Sequence, residues 1–410
     1  MYQVSTIRYR TRLRSMFLFV GFLLFATHSF SQEIKQTFYD TEKKRKKEIF
    51  HTKKIADKTM KDGLYRIYYD NGKLWQEGNF KNDELNGEWK LFHPNGLLKQ
   101  QLTYQNGFRE GASKIYYEDG YLYQEFFYKH NAIEGTVKLY HPESENKLME
   151  VSTYKNDTLE GISTSYSESG LIKSKSNYYK GKQDGISESF YESGIKSETA
   201  IYKNGLYEGW FINYHKDYPN KIQKKCTYSK GKLNGQYFGY YPNGSLMVKG
   251  NYLNDSLQGE YLHYFPSKDT SIEIGALVEK GMYLNNERSG LWTSFYPDGN
   301  MYTTGNYSNG KYDGSWTINF QNGKIKQTGN YVNGVENGEW KYYHENGNLY
   351  MEEFFSSGKK EGVLKEYYLS GKLKALYNFK NGVLDGKQTG YDETGKAVEE
   401  KNYANGVPVR

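Results

Sequence analysis

Residues 338–362, GEWKYYHENGNLYMEEFFSSGKKEG, decide the fold. Counting Gly338 as position 0, the stretch places Trp340 at position 2, Tyr343 at 5, Asn346-Gly347 at 8 and 9, Phe355 at 17 and Gly358 at 20. An Asn-Gly pair between two alternating runs marks a hairpin, because both central residues of a type I′ turn need positive φ. With that two-residue loop, position 7 pairs with 10, 6 with 11, 2 with 15 and 0 with 17. A second loop follows near position 20.

The same unit recurs along the chain. Opening glycines stand at Gly63, Gly87, Gly111, Gly135, Gly161, Gly185, Gly209, Gly235, Gly259, Gly290, Gly314, Gly338, Gly362 and Gly386. Ten of the intervals between them are 24 residues, two are 26 and one is 31, which no random sequence yields. Position 5 is Tyr or Phe in thirteen units, with Asn319 the exception, and position 17 is aromatic in all fourteen. Gly, Asn or Asp occupies position 20 throughout, as at Asp83, Gly107, Asn131 and Gly382; these types tolerate left-handed φ best.

Cross-strand partners share a face of a hairpin. Positions 0, 2, 4, 6, 11 and 17 are therefore expected on one aromatic-rich side, with the position 17 ring over the opposite glycine. The position 5 aromatic falls on the other side, among Lys, Glu and Ser. A lone hairpin is unstable in water, so the units must stack and bury one another. The fold class read from this is all-β, an elongated single-layer array of tandem antiparallel hairpins. Composition agrees, with 43 Tyr, 43 Gly and only 37% hydrophobic residues, too few for several aliphatic cores.

The ends read differently. Arg8, Arg10, Arg12 and Arg14 precede an eleven-residue apolar run, Met16–Ala26, and Ser29 and Ser31 then set a cleavage site before Gln32. Residues 1–31 are thus expected to be a signal peptide, and the mature chain to be exported to the periplasm, the outer surface or the medium. Removing those four arginines lowers the formal charge from +7 to +3, a poor basis for nucleic-acid binding. The one cysteine, Cys226, excludes an intrachain disulfide framework. Residues 32–62 carry the basic run Lys43–Lys47, yet Phe38 and Phe50 keep the spacing of positions 5 and 17, so the segment reads as a degenerate capping hairpin. Residues 63–410 then hold the fourteen repeats, interrupted by an insertion at 265–282 that is expected to protrude.

The pattern G-x-W-x-x-Y-Y-x-N-G, best displayed at Gly338–Gly362 and Gly63–Gly87, resembles the MORN-repeat family in its bacterial variant form. That resemblance implies a scaffold built as a repeat sheet. It also brings the family's associations with protein binding, self-association and lipid surfaces, and an antitoxin role for some bacterial members. Gly290–Tyr307 is also similar to the aromatic hairpins of choline- and glucan-binding wall repeats, although their period is nearer 20 residues.

Chemistry is sparse in this pattern. His93, His141, His215 and His344 all fall at position 6, where other units carry Tyr or Phe, so they read as ladder residues. Acids recur just before the opening glycine (Asp62, Glu110, Glu134, Glu160, Asp184, Glu208, Asp313, Glu361, Asp385), as edge and turn residues do. No metal-ligand spacing, phosphate loop or nucleophile elbow occurs, so neither a catalytic site nor a cofactor is expected. The candidate binding face is the position 2 row, Trp89, Tyr237, Tyr261, Trp292, Trp316 and Trp340. The partner expected there is another protein or a second copy of the chain, with a glycan as the alternative and a lipid surface third.

Overall fold

Alternating aromatic and polar residues between turn-forming pairs make strands, and strands are what the chain forms. The computed structural model describes residues 32–409 apart from 270 and 272; the leader expected at 1–31 lies outside the described residues. Among the described residues the regular structure is 37 strands, with antiparallel pairing between sequence neighbours. The described residues form two compact units, one holding 32–96 with 104–107, the other 97–103 with 108–409.

In the first unit Gln32–Phe38 pairs with Lys46–Ile55, which pairs with Lys58–Tyr68, and that strand with Leu74–Lys81. The basic run lies on the first of these turns. Phe38 pairs with Lys46 as position 5 pairs with 11 elsewhere, but Phe50 faces Tyr65, the place of position 15 and not 17. The second unit repeats one hairpin, as in Gly314 opposite Tyr331 and Trp316 opposite Gly329.

The type I′ turn expected at the first loop is found at the second. In the first, the Gly72 N–H donates to the Tyr69 carbonyl and the Tyr69 N–H to that of Lys73, at 2.9 and 2.8 Å. Gly72 alone has positive φ (81°), while Asn71 does not. This is a three-residue loop, a type I turn closed by a left-handed glycine. Asn71 serves it with its side chain, which accepts the Lys73 N–H at 3.0 Å. The extra loop residue makes position 5 pair with 11, as Tyr68 does with Leu74, and leaves a bulge that overturns the 6-with-11 pairing. The type I′ turn is the second loop, where Asn82 and Asp83 have φ of 55° and 68° between the paired Lys81 and Glu84.

The opening glycine also has a different reason from the one expected. A Cβ at Gly290 or Gly338 would meet nothing within 4 Å, so no ring lies over it. Each instead has positive φ, 65° and 82°, beside the register shift that bends the strand. The covered glycines are at position 15. A Cβ at Gly78, Gly281, Gly305 or Gly329 would stand 2.2 Å from a ring carbon of Trp89, Trp292, Trp316 or Trp340, the position 2 residue of the next hairpin.

Positions 15 and 2 alternate along the bent face as a buried spine, and their sizes are complementary. From Trp89 onward, where Trp or Tyr stands at position 2 the preceding position 15 is Gly, or Cys226 before Tyr237, and Ala200 lies beside Phe211; Tyr65, at the start of the array, faces Phe50 instead. The relation inverts at Phe126, opposite Ser113. Position 17 packs edge-on against each tryptophan: Phe80–Trp89, Tyr283–Trp292, Tyr307–Trp316 and Tyr331–Trp340 have ring planes at 80–89° and centroids 5.1–5.5 Å apart. That edge-to-face geometry suits two ring quadrupoles.

One stretch of spine has no large residue. Between Val137 and Ala200 it reads Ser152, Ser163, Ser176 and Ser187, paired by hydroxyl contacts of 3.2 and 2.7 Å. A buried ring removes ~150 Å² or more from water, on the order of 4 kcal/mol, whereas a neutral hydrogen bond contributes about 1 kcal/mol net. Local opening should therefore be easiest here. Hydrogen exchange on the mature chain is expected to show amides of Gly161–Tyr166, Ile172–Tyr179 and Lys182–Phe190 exchanging at least about tenfold faster than those of Glu287–Phe295 and Lys311–Asn319. Equal protection in both regions would contradict this account of the spine.

Candidate functional site

The six aromatic residues expected to form a binding face all lie in the spine. Trp89, Trp292 and Trp340 are only 4%, 3% and 2% exposed, and Tyr237, Tyr261 and Trp316 are half-buried. The Trp89, Trp292 and Trp316 indoles donate to the Asn79, Met282 and Asn306 carbonyls at 3.1–3.2 Å. The guanidinium of Arg288 lies 3.9 Å over Trp292 while holding both oxygens of Glu279 at 2.9 Å. One ring face thus meets a glycine, an edge meets a tyrosine, and at Trp292 an arginine covers the indole as well. Cys226 is fully buried in the same row between Phe211 and Tyr237, and burial pushes its thiol up from the ordinary range.

Position 6 is a clamp between successive hairpins. The phenols of Tyr69, Tyr117, Tyr191, Tyr241, Tyr296 and Tyr368 donate to the position 5 carbonyl of the next hairpin, Phe92, Tyr140, Tyr214, Tyr264, Asn319 and Tyr391, at 2.7–3.0 Å. His141 and His215 bond the equivalent carbonyls of Tyr166 and Tyr240 at 3.3 and 3.2 Å. His344 packs its ring on Tyr350, and His93 is buried in the same slot. These histidines occupy tyrosine's place in the ladder, and among the described residues no His, Cys, Asp or Glu cluster is arranged to hold a metal.

Eight of the nine acids before the opening glycines, all but Glu160, are also accounted for locally. Asp62, Glu110, Glu134, Asp184, Glu208, Asp313, Glu361 and Asp385 each accept the backbone N–H of the first residue of the type I′ turn, from Asn82 to Asn405, at 2.7–3.2 Å. The Lys53 ammonium, and with it the Asn82 N–H, holds Asp62 below the usual carboxylate range; the Asn204 N–H and Lys203 do the same for Asp184.

The insertion belongs to the first loop of its unit. Pairing resumes at Leu277 opposite Tyr264, so the added residues lie within 265–276. They fold back and do not protrude: the Leu246 N–H donates to the Glu273 carbonyl at 2.7 Å, Leu246 and Ile274 form a parallel bridge, and Asn243 and Ser245 bond Ser267. The apolar side chains open to solvent include two rows on the opposite face of the hairpins, at positions 1 and 16. Ile186 and Leu291 are 52% and 59% exposed there, and Phe127, Ile162, Met282, Phe354 and Val363 are exposed in the same two rows. This feature is missed when the sequence is read for its commonest residues, because positions 1 and 16 vary from unit to unit.

Comparison with known proteins gives a family. The profile described as MORN repeat variant matches residues 61–82, 85–106, 109–130, 183–204, 233–254, 288–309, 312–333, 336–357, 360–381 and 384–405, a little over half of the chain. No curated protein matches the sequence. Among solved structures, the chain is similar to those titled "Crystal Structure of TcdB2-TccC3-TEV" and "Crystal Structure of TcdB2-TccC3". Each is 10% identical with a TM-score of 0.15; they cover 92% and 90% of this chain, which spans only 26% of theirs.

Two outcomes follow for the clamps. Tyr368→Phe should cost about 1 kcal/mol in urea denaturation, the net value of one hydrogen bond, with little change in secondary structure. Because the folded-state pKa values of Asp62 and Asp184 are depressed, their stabilisation is present above the unfolded value near 3.8 and is lost as pH falls through the folded one. The urea midpoint should therefore drop on going from pH 6 to pH 3, and Asp184→Asn should reduce that drop; an unchanged pH profile in the variant would contradict the assignment.

Proposed function

Since the chain belongs to the MORN repeat variant family, a family of repeat scaffolds, we propose that it is an exported, non-enzymatic scaffold that binds another protein, or a second copy of itself, at the cell envelope. The observation that carries this reading is the division of labour between the two faces. The aromatic row is used up in joining hairpin to hairpin, while apolar side chains at positions 1 and 16 stay open to solvent. Contiguous exposed apolar surface on a soluble protein marks interaction sites. Ile186 sits opposite the half-buried Ile201, and Met282 and Leu291 lie on successive strands.

The outer face is a better contact surface than the spine on energetic grounds. A partner seated on Leu291 or Ile186 removes apolar surface from water without unpacking anything. A partner or a sugar seated on Trp292 or Trp340 must first displace the chain's own Tyr283, Arg288 or Tyr331. The leader expected at residues 1–31 supports placing this scaffold beyond the inner membrane.

Site-specific photo-crosslinking in producing cells tests the reading. A benzophenone side chain at position 291 is expected to give adducts larger than the chain, and one at position 340 none. Adducts from 340 alone, or from neither position, would overturn it. The chain recovered from the envelope or the medium should begin at Gln32 by mass spectrometry; a cytosolic chain retaining Met1 would remove the exported part of the proposal.

A further inference from the structure

We propose that the folded-back insertion builds a pocket that takes one bulky apolar side chain of an acidic segment in a partner polypeptide. This names the partner chemistry of the scaffold proposed above and rests on that reading. The cavity, of about 370 Å³, is lined by Ile222, Phe238, Tyr240, Leu246 and Ile274, with Lys221 and Glu273 among its polar residues. That volume lies in the range of small ligand sites, and a side chain the size of Leu, Phe or Trp fits within it.

Every element of the pocket has a local cause. Phe238 and Tyr240 are positions 3 and 5 of one strand and project from its outer face, and Leu246 pairs with Tyr240 across the hairpin. In the regular hairpins the 24-residue repeat leaves this floor without a wall, because the first loop is too short to turn back. The unit opened by Gly259 has the extra residues. Its loop lies along the preceding hairpin through the Leu246–Glu273 hydrogen bond and the Leu246–Ile274 bridge, and so supplies that wall. Asn243 and Ser245 fix the loop's first half at Ser267, with hydrogen bonds of 2.9 and 3.2 Å.

Charge selects the occupant. Phe238 is flanked across both its strand neighbours by lysines, Lys225 on one side and Lys249 on the other. The Lys225 ammonium lies 4.3 Å over the Trp210 ring, which holds it on the outer face. Lys221 and Glu273 are the charged residues lining the cavity, and Lys225 and Lys249, on the strands either side of Phe238, tip the balance around its apolar floor toward positive charge. An apolar anchor accompanied by Asp or Glu residues satisfies both features; one accompanied by Lys or Arg meets repulsion. Electrostatics of this kind sets partner choice and the rate of encounter more than affinity.

The test uses the full mature chain and three fluorescein-labelled peptides: one with a tryptophan flanked by two glutamates on each side, one with that tryptophan replaced by alanine, and one with the glutamates replaced by lysines. Fluorescence anisotropy is expected to show saturable binding of the first only, weakened at least about tenfold by Ile274→Asp and by the pair Lys225→Ala and Lys249→Ala. The lysine changes leave the packed spine alone, so they keep the test valid if Ile274→Asp disturbs the loop. Equal binding of all three peptides, no binding of the first, or unchanged binding in both variants would overturn the pocket. The outcomes separate the two claims: crosslinks from position 291 without peptide binding remove the pocket and leave the scaffold, whereas peptide binding without any crosslink removes the scaffold reading.

Discussion

A tryptophan lying on a glycine is the contact on which this protein depends. Trp89, Trp292, Trp316 and Trp340 each rest on the position 15 glycine of the preceding hairpin, at a distance that leaves no room for a methyl group. The ring covers backbone that would otherwise be wet and offers a flank to the position 17 aromatic, and at Trp89, Trp292 and Trp316 it also gives its N–H to a neighbouring carbonyl. Each hairpin thus finishes the one before it. Sheets in tandem arrays have no second layer to pack against, and their stability resides in such nearest-neighbour terms. Complementary size is the rule, not any one residue: Ala200 with Phe211, Cys226 with Tyr237 and Phe126 with Ser113 obey it in different ways.

The hydrogen-bond clamps are arranged around that contact. Position 6 phenols tie one end of six hairpins to the next, and in eight units the acid before the opening glycine ties the other by capping the type I′ turn. Both are polar groups with local partners, which explains why so many Tyr, His, Asp and Glu recur in the chain without forming a reactive cluster. A phenol bond contributes little by itself, about 1 kcal/mol, but the clamps recur in most units and fix the register in which the spine can interlock.

Much of this was legible in the sequence because a repeat averages out local ambiguity. The hairpin, its period and the pairing of position 0 with 17 and 2 with 15 follow from glycine and aromatic spacing alone. Two things did not. Asn71-Gly72 fits either a type I′ turn or a type I turn closed by glycine, and the choice rests on whether Asn71 bonds Lys73 through its side chain, a matter of tertiary twist. The aromatic row read as a binding face because an isolated hairpin exposes it. Only the bend at the opening glycines folds each row onto its neighbour, and that transfers the solvent-facing role to the variable positions 1 and 16. Variation there, and the one irregular loop at 265–276, are where a repeat scaffold can become specific.

The most direct test of the spine is a size swap. In Gly329→Leu with Trp340→Ser, the large and small residues exchange places, as Leu102 and Ser113 already do in this chain. Urea unfolding of the mature protein, monitored by hydrogen exchange at Ile325–Val332 and Gly338–Tyr343, should show each single change destabilising these strands by about 2 kcal/mol or more, and the double change recovering at least half of the combined loss. Strictly additive losses would mean that the two positions do not read each other, and the complementary spine would not be what holds the array together.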